Sequence, residues 1–288
     1  LEKTIRLGER NMGEQNSNPI KRVIVIGWDG AGSFVQHTST PYLDQWMKRG
    51  ASTVRAQTVS PTISAQCWGS LLHGVSPDKH MLDNDKAAVQ RYPDDSPYPS
   101  FFKLAREAYP SRKLAAFTCW KPIMDGIIEE GIGVHKVSVP DAELGEAVAD
   151  YIKNNQDLYL LFVQFDYPDY AGHKFGYGTP DYLEAITETD RFSGKIFDAM
   201  EEAGWLEDSL VIITTDHGGG GVNPKGHGSD EPLDKTVFWT CAGPGIKAGS
   251  EVPEELGLMD TAAVACRAMG IKPPHAWEAK VPEGWFNN

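Results

Sequence analysis

The sequence predicts an α/β protein in which a mostly parallel central sheet carries helices on both faces. Two observations carry that expectation: short apolar runs rich in β-branched residues, such as RVIVIG and SLVIIT, and amphipathic segments lying between them. Runs that are apolar throughout, without alternation, suit strands covered on both sides, as parallel strands are when helices flank the sheet. No internal repeat or low-complexity stretch breaks the rhythm.

The first strand is read in KRVIVIGWDG, so that Asp29 stands at its carboxyl end. A helix over 41–48 follows, with Ser39 and Thr40 as candidate caps, and then a strand over 52–59. SPTISAQCWGSLLHG passes from turn chemistry to helical spacing; Ile63, Cys67, Leu71 and Leu72 share one face, and Ser64 falls at or near the N-terminus. A helix over 101–108, a strand over 113–118, a helix over 142–154 and a strand over 158–165 come next. A long helix over 181–202 leads through Gly204 to SLVIITTDHGGGG, a strand that ends at Asp216 and His217. A strand over 236–241 and a helix over 260–269 complete the series.

The 288 residues are 41% hydrophobic, enough for one substantial core, expected over 20–288 as a single catalytic domain. Residues 1–19 are polar, lack apolar periodicity and read as an N-terminal tail or an expression remnant outside the fold. With 40 acidic against 27 basic residues the formal charge is −13, the wrong sign for gripping extended nucleic acid along a basic face. Small anionic substrates remain compatible, because bound dications reverse the local potential of a cleft. Cys67, Cys119, Cys241 and Cys266 form no CxxC pair, so neither a thiolate zinc site nor a disulfide framework is indicated. No apolar run of about 18 residues suggests a membrane span, and the start lacks the apolar middle of a secretory signal. The lack of such a segment makes a cytoplasmic location the expectation, while the start at Leu1 rather than Met leaves a removed signal as the alternative.

In open α/β sheets functional groups gather at the carboxyl ends of strands, where loops converge on a rigid edge. Three strands here end in candidate ligands: Asp29; Asp169 and His173 in DYPDYAGH; and Asp216 with His217, to which His227 in KGHGSD is added. A lone Asp after a strand is more often a helix cap. Six such residues in ordered context reverse that reading, and carboxylate oxygen with imidazole nitrogen suits zinc in an open, catalytic site.

Four blocks, VIGWDG, SPTISAQCWGSLLHGVSPDKHML, DYPDYAGHKFG and TTDHGGGGVNPKGHGSDE, together resemble the alkaline phosphatase superfamily, and in particular its type I phosphodiesterase and nucleotide pyrophosphatase branch. The resemblance implies an alkaline phosphatase-like fold and two divalent cations, zinc by default and manganese as the alternative. One would be held by Asp169, His173 and His227, the other by Asp29, Asp216, His217 and the oxygen of the nucleophile. By position the nucleophile is Ser64, preferred over Thr62, where the diesterase branch often carries threonine. In-line attack on phosphorus, a covalent phospho-enzyme and its hydrolysis are implied, with backbone N–H groups after Ser64 available to a non-bridging oxygen. Asn84, in HMLDND, lies near where the diesterases place an asparagine that contacts the phosphoryl group, although its spacing from His80 departs from theirs.

The implied function is hydrolysis of a phosphodiester or nucleotide-pyrophosphate bond in a small phosphate ester or nucleotide. A phosphomonoesterase, phosphonate hydrolase or mutase is the alternative within the superfamily, and a non-catalytic metal- or ligand-binding member the alternative outside it. Sulfatase activity is disfavoured, because Ser64-Ala65-Gln66-Cys67-Trp68 lacks the proline and arginine of the formylglycine signature. Asp166 is read as supporting rather than ligating, and His37, His73, His80, His135 and His275 as packing or surface residues. Trp28, Trp68 and Trp120 are assigned to the core by default. Phe34 and Tyr170 are candidates to stack on a nucleobase or aryl leaving group. The glycine run at 218–221 lacks P-loop and Rossmann spacing and is read as a flexible loop that leaves room at the metals.

Overall fold

Alternating apolar runs and amphipathic segments assemble, in a computed structural model that describes residues 20–286, into one mixed sheet. Its strands are β1 (Arg22–Trp28), β2 (Ala51–Gln57), β3 (Lys113–Thr118), β4 (His135–Ser138), β5 (Leu158–Phe165), β6 (Ser209–Thr214), β7 (Thr236–Ala242) and β8 (Ser250–Glu251). They lie in the order β4-β3-β5-β1-β6-β7-β2-β8. Only β7 runs antiparallel to its neighbours, β6 and β2; every other pairing is parallel. The helices are α1 (Pro41–Arg49), α2 (Ser64–His73), α3 (Pro77–His80), α4 (Asn84–Val89), α5 (Phe101–Ala108), α6 (Asp141–Asn154), α7 (Tyr167–Phe175), α8 (Pro180–Glu202), α9 (Pro232–Lys235) and α10 (Thr261–Ala268).

Successive side chains of a strand point to opposite faces, and β1 shows the result. Val23 and Val25 enter one core with Trp68 and Leu72 of α2, Phe102 of α5 and Cys266 of α10. Ile24 and Ile26 enter the other, with Leu43 and Trp46 of α1, Val148 of α6 and Ile196 of α8. Apolar burial on both sides explains why β1, β5 and β6 read as unbroken hydrophobic runs. Cys67, Cys241 and Cys266 are buried, and all four cysteines are free thiols. No helix among the described residues is long and apolar enough to cross a membrane. The tail expected over 1–19 lies outside the described residues.

The expected elements lie close to the observed bounds, with informative departures. Thr40 precedes α1 but makes no capping bond. The N–H groups of Tyr42 and Leu43 donate instead to the carboxylate of Asp190 on α8, at 3.1 and 2.8 Å. The cap is thus supplied by a helix packed alongside, which no local pattern announces. DYPDYAGH forms α7 although its apolar positions are few and it contains Gly172; Pro168 in the first turn has a φ preset for a helix start.

Gly27, in the middle of the sheet, lets α2 lie close upon it. A Cβ at this position would come within 2.2 Å of Cη2 of Trp68, whose ring also meets Phe162 edge-on at 5.7 Å. Gly27→Ala is therefore expected to destabilise the protein by about 1–3 kcal/mol through overpacking. Urea unfolding measures this, and an unchanged midpoint would show that α2 does not bear on the strand as described.

Candidate metal centre

The three strands β5, β1 and β6 are neighbours, and their carboxyl ends deliver the acidic residues side by side. Asp29 follows β1, its N–H donating to Phe165 O at 2.8 Å. Asp169 and His173 stand one turn apart on α7, which starts after β5, so both face the same way. Asp216 and His217 follow β6, and the loop beyond them returns His227. Gly30 has φ +66°, and a Cβ there would meet Asp169 Oδ1 at 2.7 Å, so glycine alone allows the loop after β1 to approach α7. Ser64 is the first residue of α2, with Oγ 3.3 Å from Nε2 of His217.

Ligand atoms of Asp29, Asp216 and His217 all lie within 4.8 Å of one another, and so do those of Asp169, His217 and His227. His217 is the shared corner: its Nε2 is 3.5 Å from Asp29 Oδ1 and 3.3 Å from Asp216 Oδ2. His173 joins at the rim, where its Nε2 is 3.3 Å from Asp169 Oδ2 and 3.2 Å from Nε2 of His227. Depth separates the two groups. The side chains of Asp29, Asp216 and His217 are at most 1% exposed, whereas that of His173 is 48% exposed.

Hydrogen-bond accounting tells what this centre accepts. Nδ1 of His217 faces Gly218 O at 2.8 Å, Nδ1 of His173 faces Lys225 O at 2.8 Å, and Nδ1 of His227 faces Thr62 O at 2.6 Å. A carbonyl only accepts, so each Nδ1 bears a proton; Nε2 of His217 and His227 is left to present a lone pair inward, and Nε2 of His173 does so once the proton it shares with Asp169 is displaced. The carboxylates are tied in the same manner. Asp29 Oδ2 accepts from Trp68 Nε1 at 2.9 Å and Gln164 Nε2 at 3.0 Å; Asp216 Oδ1 accepts from the N–H groups of Gly30 at 3.0 Å and His217 at 2.9 Å. Their other oxygens, Asp29 Oδ1 and Asp216 Oδ2, are buried without a donor. Converging lone pairs with too few protons to satisfy them fit divalent cations, and the oxygen and nitrogen donor set suits zinc or manganese.

Electrostatics point the same way. Burial, reinforced by the charges of Asp216, Asp169 and Asp166, raises Asp29 far above the ordinary carboxylate range, and burial likewise raises Asp216. Burial works against ionised Asp169 too, but the hydrogen bond from His173 and the imidazoles around it hold it well below the usual range. His217 is pushed down to about 3 by burial and then by His227, which keeps it neutral and ligand-ready. His173 is raised to about 9 by its hydrogen bond to Asp169. A proton therefore competes with a cation both at His173 on the rim and at Asp29 and Asp216 in the buried group.

Other residues singled out in the sequence take definite places. Asn84 begins α4, and its Oδ1 accepts from Ala65 N–H at 2.9 Å, so one of the backbone donors after Ser64 is already engaged. Thr62 is fully buried; its hydroxyl donates to Ser229 O and accepts from Gly228 N–H, both at 2.9 Å, which leaves Ser64 as the hydroxyl at the ligand cluster. Asp166 accepts from Gln164 Nε2 at 3.3 Å and is raised to about 7 by burial and then by Asp169. Phe34 is buried edge-on against Tyr182, so it presents no face for stacking, whereas Tyr170 is 52% exposed. His73 and His80 are buried in the core, away from the ligands, and His135, His37 and His275 are exposed. The glycine run does not leave empty room: Gly219 and Gly220 press on Tyr177, and Gly218 on the backbone of Leu233.

Three supporting residues had no motif to announce them. Trp68 reads as core and is core, yet its indole N–H also orients Asp29. Gln164 is locked by Trp120 N–H, which donates to its Oε1 at 2.9 Å and thereby directs its NH2 toward Asp29 and Asp166. Tyr177 donates its hydroxyl to Asp169 Oδ1. A polar side chain inside an apolar strand, Gln164 at full burial, was the one available signal.

Residues 23–237 match the family model described as type I phosphodiesterase / nucleotide pyrophosphatase. A phosphopentomutase of Carboxydothermus hydrogenoformans is 28% identical over 168 residues, covering 53% of this chain and 41% of that protein. Ectonucleotide pyrophosphatase/phosphodiesterase family member 7 of Mus musculus is 26% identical over 239 residues, covering 72% of this chain and 52% of that protein. A steryl-sulfatase of Rattus norvegicus is 27% identical over 156 residues, covering 46% and 26%. The chain thus spans about half the length, or less, of these curated relatives. Among solved structures, murine ectonucleotide pyrophosphatase / phosphodiesterase 5 superposes with a TM-score of 0.71 at 15% identity, covering 88% of this chain and 96% of that one, and so shares the fold.

Carboxyls raised in the folded state bind more protons there than in the unfolded chain, so Asp29 and Asp216 subtract stability as pH rises above about 4. Cations bound there would reverse that loss. Zinc-loaded and chelator-treated samples are expected to melt far apart near about pH 7.5, the loaded sample higher, and to converge towards about pH 5 as protons replace cations. Melting curves that ignore the chelator at the higher pH would remove the case for a cation site.

Proposed function

The chain belongs to the type I phosphodiesterase / nucleotide pyrophosphatase family of the alkaline phosphatase superfamily, and from that premise we propose that it hydrolyses phosphodiester or nucleotide-pyrophosphate bonds of small substrates through Ser64. The observation that carries the reading is the position of the Ser64 hydroxyl, at the first turn of a ten-residue helix and 3.3 Å from the imidazole nitrogen shared by both ligand groups. Two divalent cations, one held by Asp169, His173 and His227 and one by Asp29, Asp216 and His217, would supply Lewis-acid charge for the serine oxygen and the phosphoryl group.

The chain's own residues supply the rest. A serine hydroxyl is a poor nucleophile near neutrality, and the positive end of α2 favours its anionic form. His217 Nε2 lies against two carboxylate oxygens, which makes it a corner of the ligand set rather than a free general base. Asn84 has its oxygen engaged by Ala65 N–H, so its amide N–H groups are the part left to hold a non-bridging phosphoryl oxygen. Attack forms the Oγ–P bond as the bond to the leaving oxygen breaks; water then cleaves Oγ–P and restores the hydroxyl.

The likeness to phosphopentomutase supports a monoester or mutase reading as the alternative, and the ratio of diester to monoester turnover separates the two. Zinc- or manganese-loaded protein is expected to turn over bis-p-nitrophenyl phosphate faster than p-nitrophenyl phosphate, and p-nitrophenyl sulfate negligibly. Ser64→Ala is expected to lower phosphate-ester turnover by about a thousandfold or more with metal content unchanged. Failure of both phosphate esters with either metal would dispose of the hydrolase reading.

A further inference from the structure

Tyr177 occupies a slot made of glycine. A Cβ on Gly172 would come within 2.5 Å of its Cζ, one on Gly219 within 2.5 Å of Cε1, and one on Gly220 within 3.1 Å of Cβ. Two separate segments, α7 and the loop after β6, thus forgo side chains around one ring. The backbone is arranged to deliver it: Gly176 and Gly178 flank Tyr177 at φ +107° and +77°, and its N–H donates to Pro224 O at 2.9 Å. The ring stands nearly perpendicular to those of His173 and His227, with centroids at 6.0 and 6.3 Å, and packs on Tyr182 at 5.2 Å. Its hydroxyl ends on Asp169 Oδ1.

Asp29 and Asp216 are each oriented by two hydrogen-bond donors, as described above. Among the described residues Tyr177 is the only hydroxyl or amide that donates to Asp169. A carboxylate turns readily about χ2; the contacts of Asp169 with His173 and His227 are ones a cation would replace, so the Tyr177 bond is the one that would then hold the group in place. We propose that Tyr177 is a positioning residue for the rim cation: its bond to Oδ1, an oxygen 3.6 Å from His227 Nε2, fixes the Asp169 carboxylate and leaves Oδ2, 3.3 Å from His173 Nε2, free to ligate, and Gly172, Gly219 and Gly220 admit its ring. This rests on the two-cation reading. Loss of an orienting partner of this kind typically lowers metal affinity about 10–100-fold.

The test uses Tyr177→Phe, with zinc content per chain, zinc affinities by chelator competition, and melting of the chelated protein. Wild type is expected to bind two zinc ions per chain. The variant should keep the affinity of one site, lose about 10–100-fold at the other, and melt like wild type when chelated. Gly219→Ala retains the hydroxyl but crowds the ring, and should reproduce the selective loss. Equal affinities in wild type and Tyr177→Phe would overturn the proposal while leaving the two-cation reading intact, and so would equal weakening of both sites or a lowered melting temperature in the chelated variant. Fewer than two zinc ions in wild type would overturn the two-cation reading itself.

Discussion

Lone pairs that converge with too few protons to satisfy them dominate this molecule. Three imidazoles turn their N–H groups outward to backbone carbonyls, and two buried carboxylates keep one oxygen tied and the other bare. Such an arrangement repels itself unless positive charge is supplied. It holds because the groups are mounted on the ends of adjacent strands packed on both faces, so that no single side chain can turn away without disturbing a core.

The same constraint bears on substrate capture. The chain carries a formal charge of −13, and its cleft is acidic before any substrate arrives. A phosphate ester would meet net repulsion there from the protein's own groups. On the proposed reading, cations at the cluster would be a condition of binding as well as of bond cleavage, and the helix dipole at Ser64 would supplement them only at short range.

Much of the frame was legible in the residues. β-branched apolar runs mark β1, β5 and β6, and the acidic and histidine residues at their ends stand out because charge directly after such a run is unusual. What escaped reading depends on partners distant in the chain. Asp190 caps α1 from 147 residues away, and Trp68 reaches Asp29 across 39. The glycine run is a case of the right residues with the wrong reason: glycine suggested looseness, whereas here it permits close packing against Tyr177, a contact that only the tertiary structure creates. Phe34 beside Asp29 suggested a stacking surface, but Tyr182 from α8 covers it.

The ligand residues run from Asp29 to His227, and no segment brings more than two of them together locally: Asp169 with His173 on α7, and Asp216 with His217 after β6. Neither pair alone makes a cage, so an emerging or half-ordered chain offers a passing ion nothing to prefer. Long-range strand pairing must be finished first, the slow part of building any parallel sheet. Uptake of ions would then act as a clasp on completed architecture, drawing the folding equilibrium towards the native form without having guided the chain to it.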